Sequence, residues 1–342
     1  MKFSIITPSY NQSAFLETTL QSVLSQSGVE LEYIVVDGGS TDGSAEIIQK
    51  YSDRLAWWCS EPDGGQYAAI NKGFQHATGD VFAWLNSSDI YLPWTLRTVA
   101  TVFEQYPEVD WISSMHKLCI GEKTEFAGYQ KVPGFSRNAF LRGLHGSREN
   151  PNFIQQETCF WRRSLWEKAG GAIPADYRYA ADFHLWAKFF EHSPLTGIEC
   201  PLAGFRFHGD QRSAASGYLE EVDHLLAKLR RENAAPPHNR QMPVAYLDPT
   251  PPSVAGESSL VGEKWKLNVM DNDNFIFEVD DAEVALRMKE DVIQNLSAVA
   301  EERLSCIEDM KRAVDDLRSK ADLKYQLKTT LQSYLRRISG SK

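Results

Sequence analysis

The sequence predicts an α/β fold with a mostly parallel sheet and crossover helices. Three observations carry this. Short apolar runs of strand length alternate with stretches whose apolar residues recur at helical spacing. The runs end in polar, Gly- or acid-bearing segments, where ligands bind in an open α/β sheet. The run Val81 to Leu85 is apolar throughout, as a strand covered on both faces should be, and leads directly into Asn86, Ser87, Ser88 and Asp89.

Taken in order, Phe3 to Thr7 is a strand stopped by Pro8, and Phe15, Leu16, Leu20, Val23 and Leu24 line a helix. Leu31 to Val36 is the second strand, ending in Asp37-Gly38-Gly39, and a helix carrying Ile47 and Ile48 follows. Leu55 to Cys59 is the third, leading into Glu61-Pro62-Asp63-Gly64-Gly65-Gln66 and a helix with Tyr67, Ile70 and Phe74. Val81 to Leu85 is the fourth. Pro93 opens a helix that Pro107 stops, and Val109 to Ser113 is another strand. Residues 116 to 155 read as loop. Trp161 to Ala169 and Asp182 to Glu191 read as helices, Leu195 to Phe207 holds a strand, and Tyr218 to Arg231 is an amphipathic helix.

Composition divides the chain into a first domain over 1–232, a Pro-rich linker over 233–262 and a tail over 263–342. In the tail, alternation at Trp265, Leu267 and Val269 and again at Phe275, Phe277 and Val279 predicts a hairpin. Residues 281 to 338 lack Gly and Pro and read as long amphipathic helix. Such a helix serves oligomerisation or packing; its basic end also suits contact with an anionic membrane surface.

An apolar fraction of 42% and a charged fraction of 24% are ordinary globular values. The net charge of −10 argues against a nucleic-acid partner. Five scattered cysteines, with no CxxC pair, fit a reducing cytoplasm rather than a disulfide framework or a zinc site. The apolar run at Phe3 is too short for a signal peptide, and no run reaches membrane-span length. The expectation is a cytoplasmic protein, peripheral at most at the inner face of the membrane.

Five motifs occur in order: Thr7-Pro8-Ser9-Tyr10-Asn11; Val36-Asp37-Gly38-Gly39-Ser40; Glu61-Pro62-Asp63-Gly64-Gly65 with Asn71-Lys72-Gly73; Leu85-Asn86-Ser87-Ser88-Asp89; and Gln156-Glu157 through Asp182. Over about residues 1–215 the chain resembles a family-2 glycosyltransferase of the GT-A fold. The resemblance implies inverting transfer from a nucleotide-diphosphate sugar, UDP-linked foremost, to a hydroxyl of a glycan or lipid-linked acceptor in polysaccharide biosynthesis. It implies that Pro8 and Tyr10 frame the base, with Asp63 nearby. Gln66, Asn86 and Ser88 belong to the same nucleotide-sugar site. Asp37 accepts hydrogen bonds from base or ribose, or else closes a turn beside Asp42 as helix cap. Lys72 and Arg212 are candidates for a phosphate, and a solvated helix face is the other reading of Lys72.

The resemblance also implies Mn²⁺ or Mg²⁺ on Asp89, with His208 as a further ligand. Family members usually carry two acids where this chain has Ser88-Asp89. Asp182 is the implied catalytic base, in a position where the family has an acid pair and this chain has Ala181-Asp182. Helix capping is the alternative for Asp182. These departures leave a second class open: a sugar-nucleotide-binding or scaffolding protein without turnover. A dinucleotide-dependent oxidoreductase is excluded, because no GxGxxG follows the first strand.

Overall fold

The computed structural model describes residues 1–132, 134–146, 152–174, 176–209 and 217–232, and the backbone of 241–247 and 265–271. The chain divides into two compact units, Met1–Phe275 and Ile276–Lys342, and every described residue belongs to the first.

The first elements are β1 (Lys2–Ser9), α1 (Ser13–Leu24), β2 (Glu30–Asp37), α2 (Ser44–Lys50), β3 (Trp57–Ser60), α3 (Gln66–Gln75) and β4 (Val81–Trp84). There follow β5 (Ile90–Tyr91), α4 (Thr95–Gln105), β6 (Trp111–Ser114), β7 (His116–Ile120), β8 (Phe126–Lys131) and α5 (Arg137–Leu141). The remainder are β9 (Phe160–Arg162), α6 (Arg163–Lys168), α7 (Ala181–His192), β10 (Thr196–Ile198), β11 (Ala203–Arg206), α8 (Gly217–Glu232), β12 (Gln241–Leu247) and β13 (Trp265–Asp271).

Among the described residues the main sheet has nine strands, in the order β13-β12-β10-β6-β9-β4-β1-β2-β3. Its pairs are parallel except those made by β9 and β13. A second sheet, β5-β11-β7-β8, stands beside it. Strand periodicity sorts the core into two layers. Phe82 and Trp84 join one with Ile70, Phe74, Trp161 and Trp186; Val81, Ala83 and Leu85 join the other with Leu16, Leu20 and Val99. Burying Phe82 contributes about 1.5–3 kcal/mol, and truncating it to Ala would cost about 3–5 kcal/mol with the cavity included. β1 runs through Pro8 to Ser9 rather than stopping at Thr7. The carbonyl of Ile6 accepts from Leu85 and that of Ser9 from Gly38. By alternation, Pro8 presents its missing N–H on the side where β4 has already ended, so no ladder bond is lost.

Four further expectations are corrected. Residues 116–155 hold β7, β8 and α5, not only loop; β8 is largely solvated (Phe126 is 69% exposed), so its sequence lacks a buried-strand pattern. Trp161 lies in β9, and the helix begins at Arg163. The helix after Pro93 begins at Thr95. The stretch 233–262 contains β12, which pairs parallel with β10 and antiparallel with β13, so Trp265–Asp271 pairs backward in sequence. The surrounding prolines mask the strand-length run Val244-Ala245-Tyr246-Leu247. Phe275 to Val279, the predicted helix over 281–338 and Arg212 lie outside the described residues.

Candidate active site

The register of the parallel strands brings three predicted segments to one rim. Ser9, Asp37 and Ser60 are neighbours at the carboxyl ends of β1, β2 and β3. Asp37 is fully buried and accepts from the Ser40 amide at 2.9 Å, the Ser40 hydroxyl at 2.5 Å and the Ser60 hydroxyl at 2.6 Å. It therefore closes the turn after β2 and ties β3 to it. A Cβ added at Gly38 would lie 3.1 Å from the Asp63 carboxylate, so the two acid-bearing loops touch. Asn11 Oδ1 accepts from the Thr41 amide, and the Ser40 hydroxyl accepts from the Asn11 amide. These bonds fix the loop carrying Tyr10, whose side chain is 64% exposed, while Pro8 is buried beneath. Asp42 does more than cap a helix: it accepts from the Ser13 amide at 2.8 Å and the Ser44 amide at 3.0 Å, binding the starts of α1 and α2. Lys72 pairs with Glu61 and lies 5.8 Å from the Trp57 ring.

Beyond β4, four side chains form one line. Gln66 Nε2 donates to Asn86 Oδ1 at 2.6 Å. Asn86 Nδ2 donates to Gln156 Oε1 at 3.0 Å and lies 3.5 Å from Asp89 Oδ2. Gln156 Nε2 donates to the Trp84 carbonyl at 2.7 Å. Asp89 is 1% exposed, and its Oδ1 accepts from the Arg206 amide at 2.9 Å. The Arg206 guanidinium donates to the carbonyls of Ser88 at 2.6 Å and of Gly121 and Glu122 at 2.8 Å. Burial pushes the Asp89 carboxyl up; Glu157, also buried, is raised by burial and by the Asp89 charge. On α1, the Thr19 hydroxyl lies 2.7 Å from the Asp89 carbonyl, and Phe15, one turn earlier, meets the His208 ring at 4.9 Å. Asp89 and His208 thus flank one stripe of α1.

Asp182 stands in the first turn of α7, which Trp186 anchors four residues later by stacking on Trp84 at 5.7 Å and 8°. Its Oδ1 accepts from the Phe183 amide at 2.8 Å and lies 3.4 Å from the Tyr67 phenol, and the Tyr218 phenol also helps to lower its pKa. Tyr67 donates to the Tyr179 carbonyl at 2.7 Å. Burial raises Asp182, these bonds lower it, and the balance is about 6. Gln66 and Tyr67 are adjacent on α3, so one helix start touches both the Asn86–Asp89 line and Asp182.

A family model described as glycosyl transferase family 2 matches residues 4–167. A glycosyltransferase of Mycobacterium tuberculosis is 32% identical over 237 residues, 67% of this chain and 81% of that one. The chain belongs to glycosyl transferase family 2. A glycosyltransferase of Nostoc is 28% identical over 242 residues, 68% of this chain and 74% of the relative. Among solved structures, S. aureus TarS in complex with UDP-GlcNAc superposes with a TM-score of 0.51 at 22% identity, covering 67% of this chain and 66% of that one. The chain is a glycosyltransferase with the GT-A fold.

In this family-2 glycosyltransferase the donor set for a divalent cation is small. Among the described residues no three His, Cys, Asp or Glu side chains converge on one point. Asp89 commits Oδ1 to Arg206 and leaves Oδ2 beside Asn86. That set fits an Mg²⁺-like ion that keeps waters and takes oxygens from substrate phosphates; it does not fit a cage built by the protein. Arg206, Tyr67 and Tyr218 were not among the sequence candidates. Arg206 had a visible mark, a cation between Phe205 and Phe207 in a strand. The two tyrosines had none, because only the fold brings them to Asp182.

Proposed function

We propose that this glycosyltransferase inverts the anomeric centre, moving a sugar from a nucleotide-diphosphate donor, UDP-linked, to a hydroxyl of a glycan or lipid-linked acceptor. The supporting observation is Asp182: a half-buried acid whose burial raises its pKa to about 6, joined through Tyr67 and Gln66 to the strand-end rim. A base near that pKa is ionised at neutral pH and accepts a proton readily. In the reading, Asp182 takes the proton of the attacking hydroxyl. The acceptor oxygen bonds to the anomeric carbon, the bond to the diphosphate oxygen breaks, and the nucleoside diphosphate leaves. Tyr10, Pro8 and Asp63 hold base and ribose on the turn that buried Asp37 closes; Gln66, Asn86 and Ser88 orient the sugar-diphosphate, with Lys72 and Arg212 as phosphate contacts. Asp89 and His208 would hold Mg²⁺ or Mn²⁺, which offsets charge on the departing diphosphate when bound.

The pathway reading is assembly of a surface polysaccharide at the inner face of the membrane, with the tail over 263–342 as an oligomerisation or membrane-surface element. No helix among the described residues is long and apolar enough to cross a membrane. A second reading, binding without turnover, draws on Ser88 and Ala181 where acids are usual. The deciding experiment is a panel of sugar nucleotides with Mn²⁺ or Mg²⁺, scored by thermal shift and by nucleotide release. UDP sugars come first, since the TarS structure contains UDP-GlcNAc. Stabilisation with release supports transfer; stabilisation without release, with any acceptor offered, supports the second reading; neither overturns both.

A further inference from the structure

A cavity of about 580 Å³ lies between the segment before α7 and the start of α8, within the roughly 300–1,000 Å³ typical of small-molecule sites. Asp176, Tyr177 and Tyr179 form one side; Glu220, His224 and Lys228 form the other. The first side is held rigid by Glu221, whose carboxylate accepts from the amides of Arg178 at 3.0 Å, Tyr179 at 2.7 Å and Ala180 at 2.8 Å. Asp182 is linked to this side through Tyr67. The Tyr179 carbonyl accepts from the Tyr67 phenol, which lies 3.4 Å from Asp182 Oδ1. Gly217 also lines the cavity, and the next residue, Tyr218, interacts electrostatically with the Asp182 carboxyl. The cavity and the base are thus connected through Tyr179 and Tyr67, and Asp182 itself does not line the cavity.

We propose that this cavity is a distal acceptor subsite that holds the sugar next to the reacting one, so that the acceptor is an oligosaccharide. The proposal rests on Asp182 being the base. Tyrosine offers an amphipathic ring to the C–H face of a pyranose, with a polar edge for its hydroxyls. Asp176 and Glu220 accept from hydroxyls; Lys228 and His224 donate to them. A phosphate would meet these carboxylates against one lysine, so the class that fits is an uncharged glycan rather than a second nucleotide.

The test uses the full chain, fluorescently labelled, with UDP present, on a printed array of mono- to hexasaccharides. The expected result is retention of disaccharides and longer glycans over monosaccharides. Tyr177→Ala should lower the retained signal about tenfold. Because Tyr177 also packs on His184 at 5.2 Å, Glu220→Gln on the facing helix is the second variant, with the same loss expected. Both should keep the wild-type thermal shift with sugar nucleotide. If both variants retain glycans as the wild type does, or no glycan is retained while sugar nucleotide is still bound and turned over, the subsite is refuted and the proposed function stands. If no sugar nucleotide is bound, the proposed function falls and the subsite with it.

Discussion

Arg206 holds the Asp89 loop twice: its amide donates to Asp89 Oδ1 at 2.9 Å, and its guanidinium donates to the Ser88 carbonyl at 2.6 Å. The two residues are 117 positions apart in sequence. The strand β11 therefore fixes where the polar end of β4 stands, and α1 closes the other side through Thr19.

Arg206→Met should destabilise the protein by about 1–3 kcal/mol, since it strips the guanidinium donors from the carbonyls of Ser88, Gly121 and Glu122 while keeping the amide that bonds Asp89. Chemical denaturation measures this. Arg206→Lys should recover only part of the loss, because one ammonium cannot reach both the Ser88 carbonyl and the β7–β8 turn. Full recovery by lysine would show that charge alone is needed there.

Asp182→Asn keeps the shape and the bond from the Phe183 amide, and removes the base. Transfer should fall by about 10²–10⁴-fold, while the thermal shift with sugar nucleotide stays at the wild-type value. Single-turnover transfer with a glycan acceptor reads the first, and differential scanning fluorimetry the second. Normal transfer by this variant would remove Asp182 from the mechanism.

The pH profile follows from the same carboxyl. A base must be ionised, so kcat/KM should rise with pH and reach half its plateau near the pKa of about 6. The stability sign is opposite: a carboxyl raised on folding favours the native state below its unfolded pKa, and that contribution is lost as pH rises through about 6. Asp182→Asn should flatten this part of the stability profile. An activity limb centred below pH 5 would mean another group titrates.

At the opposite end of the sheet, Glu32 bonds Ser4, Thr78 and Lys2. Burial alone would raise it, but these bonds outweigh burial and bring it to about 2. A carboxylate depressed on folding stabilises the native state above its unfolded pKa, so the contribution disappears as pH falls from about 4.5 to about 2. It amounts to at most about 3 kcal/mol. Glu32→Gln should lose most of that stability at neutral pH and show a shallower acid limb in urea titrations.

Asp89→Asn tests the cation reading. It preserves the Arg206 contact through its side-chain oxygen, so the fold should persist with unchanged near-UV circular dichroism. Binding of a sugar nucleotide should lose its dependence on Mn²⁺ or Mg²⁺. If titration calorimetry gives the same dependence as in the wild type, Asp89 does not hold the ion.

Much of the fold was legible because strand and helix periods are local properties. Val81 to Leu85 has to be covered on both faces, and the helical spacing of Leu16, Leu20 and Val23 needs one buried side. β7 and β8 were not legible, since half-solvated strands carry little apolar alternation. β12 was obscured by prolines, although Pro243 sits within its ladder. At the site, the sequence picked out Gln66, Asn86 and Asp89, which the fold joins in one line, and Asp182, which that line approaches through Tyr67.

The amino-acid order by itself determined the alternation of strands and helices, the polar strand ends and the residue types available there. These depend on neighbours a few positions apart. Only tertiary structure decided what each polar group does, because burial and partners come from distant segments. Asp37 became a turn-closing acceptor through Ser60, and Lys72 became the partner of Glu61. Asp182 acquired its raised pKa from burial beside Tyr67 and Tyr218. A carboxylate's chemistry is set by the dielectric and donors around it, and no local stretch of chain specifies those.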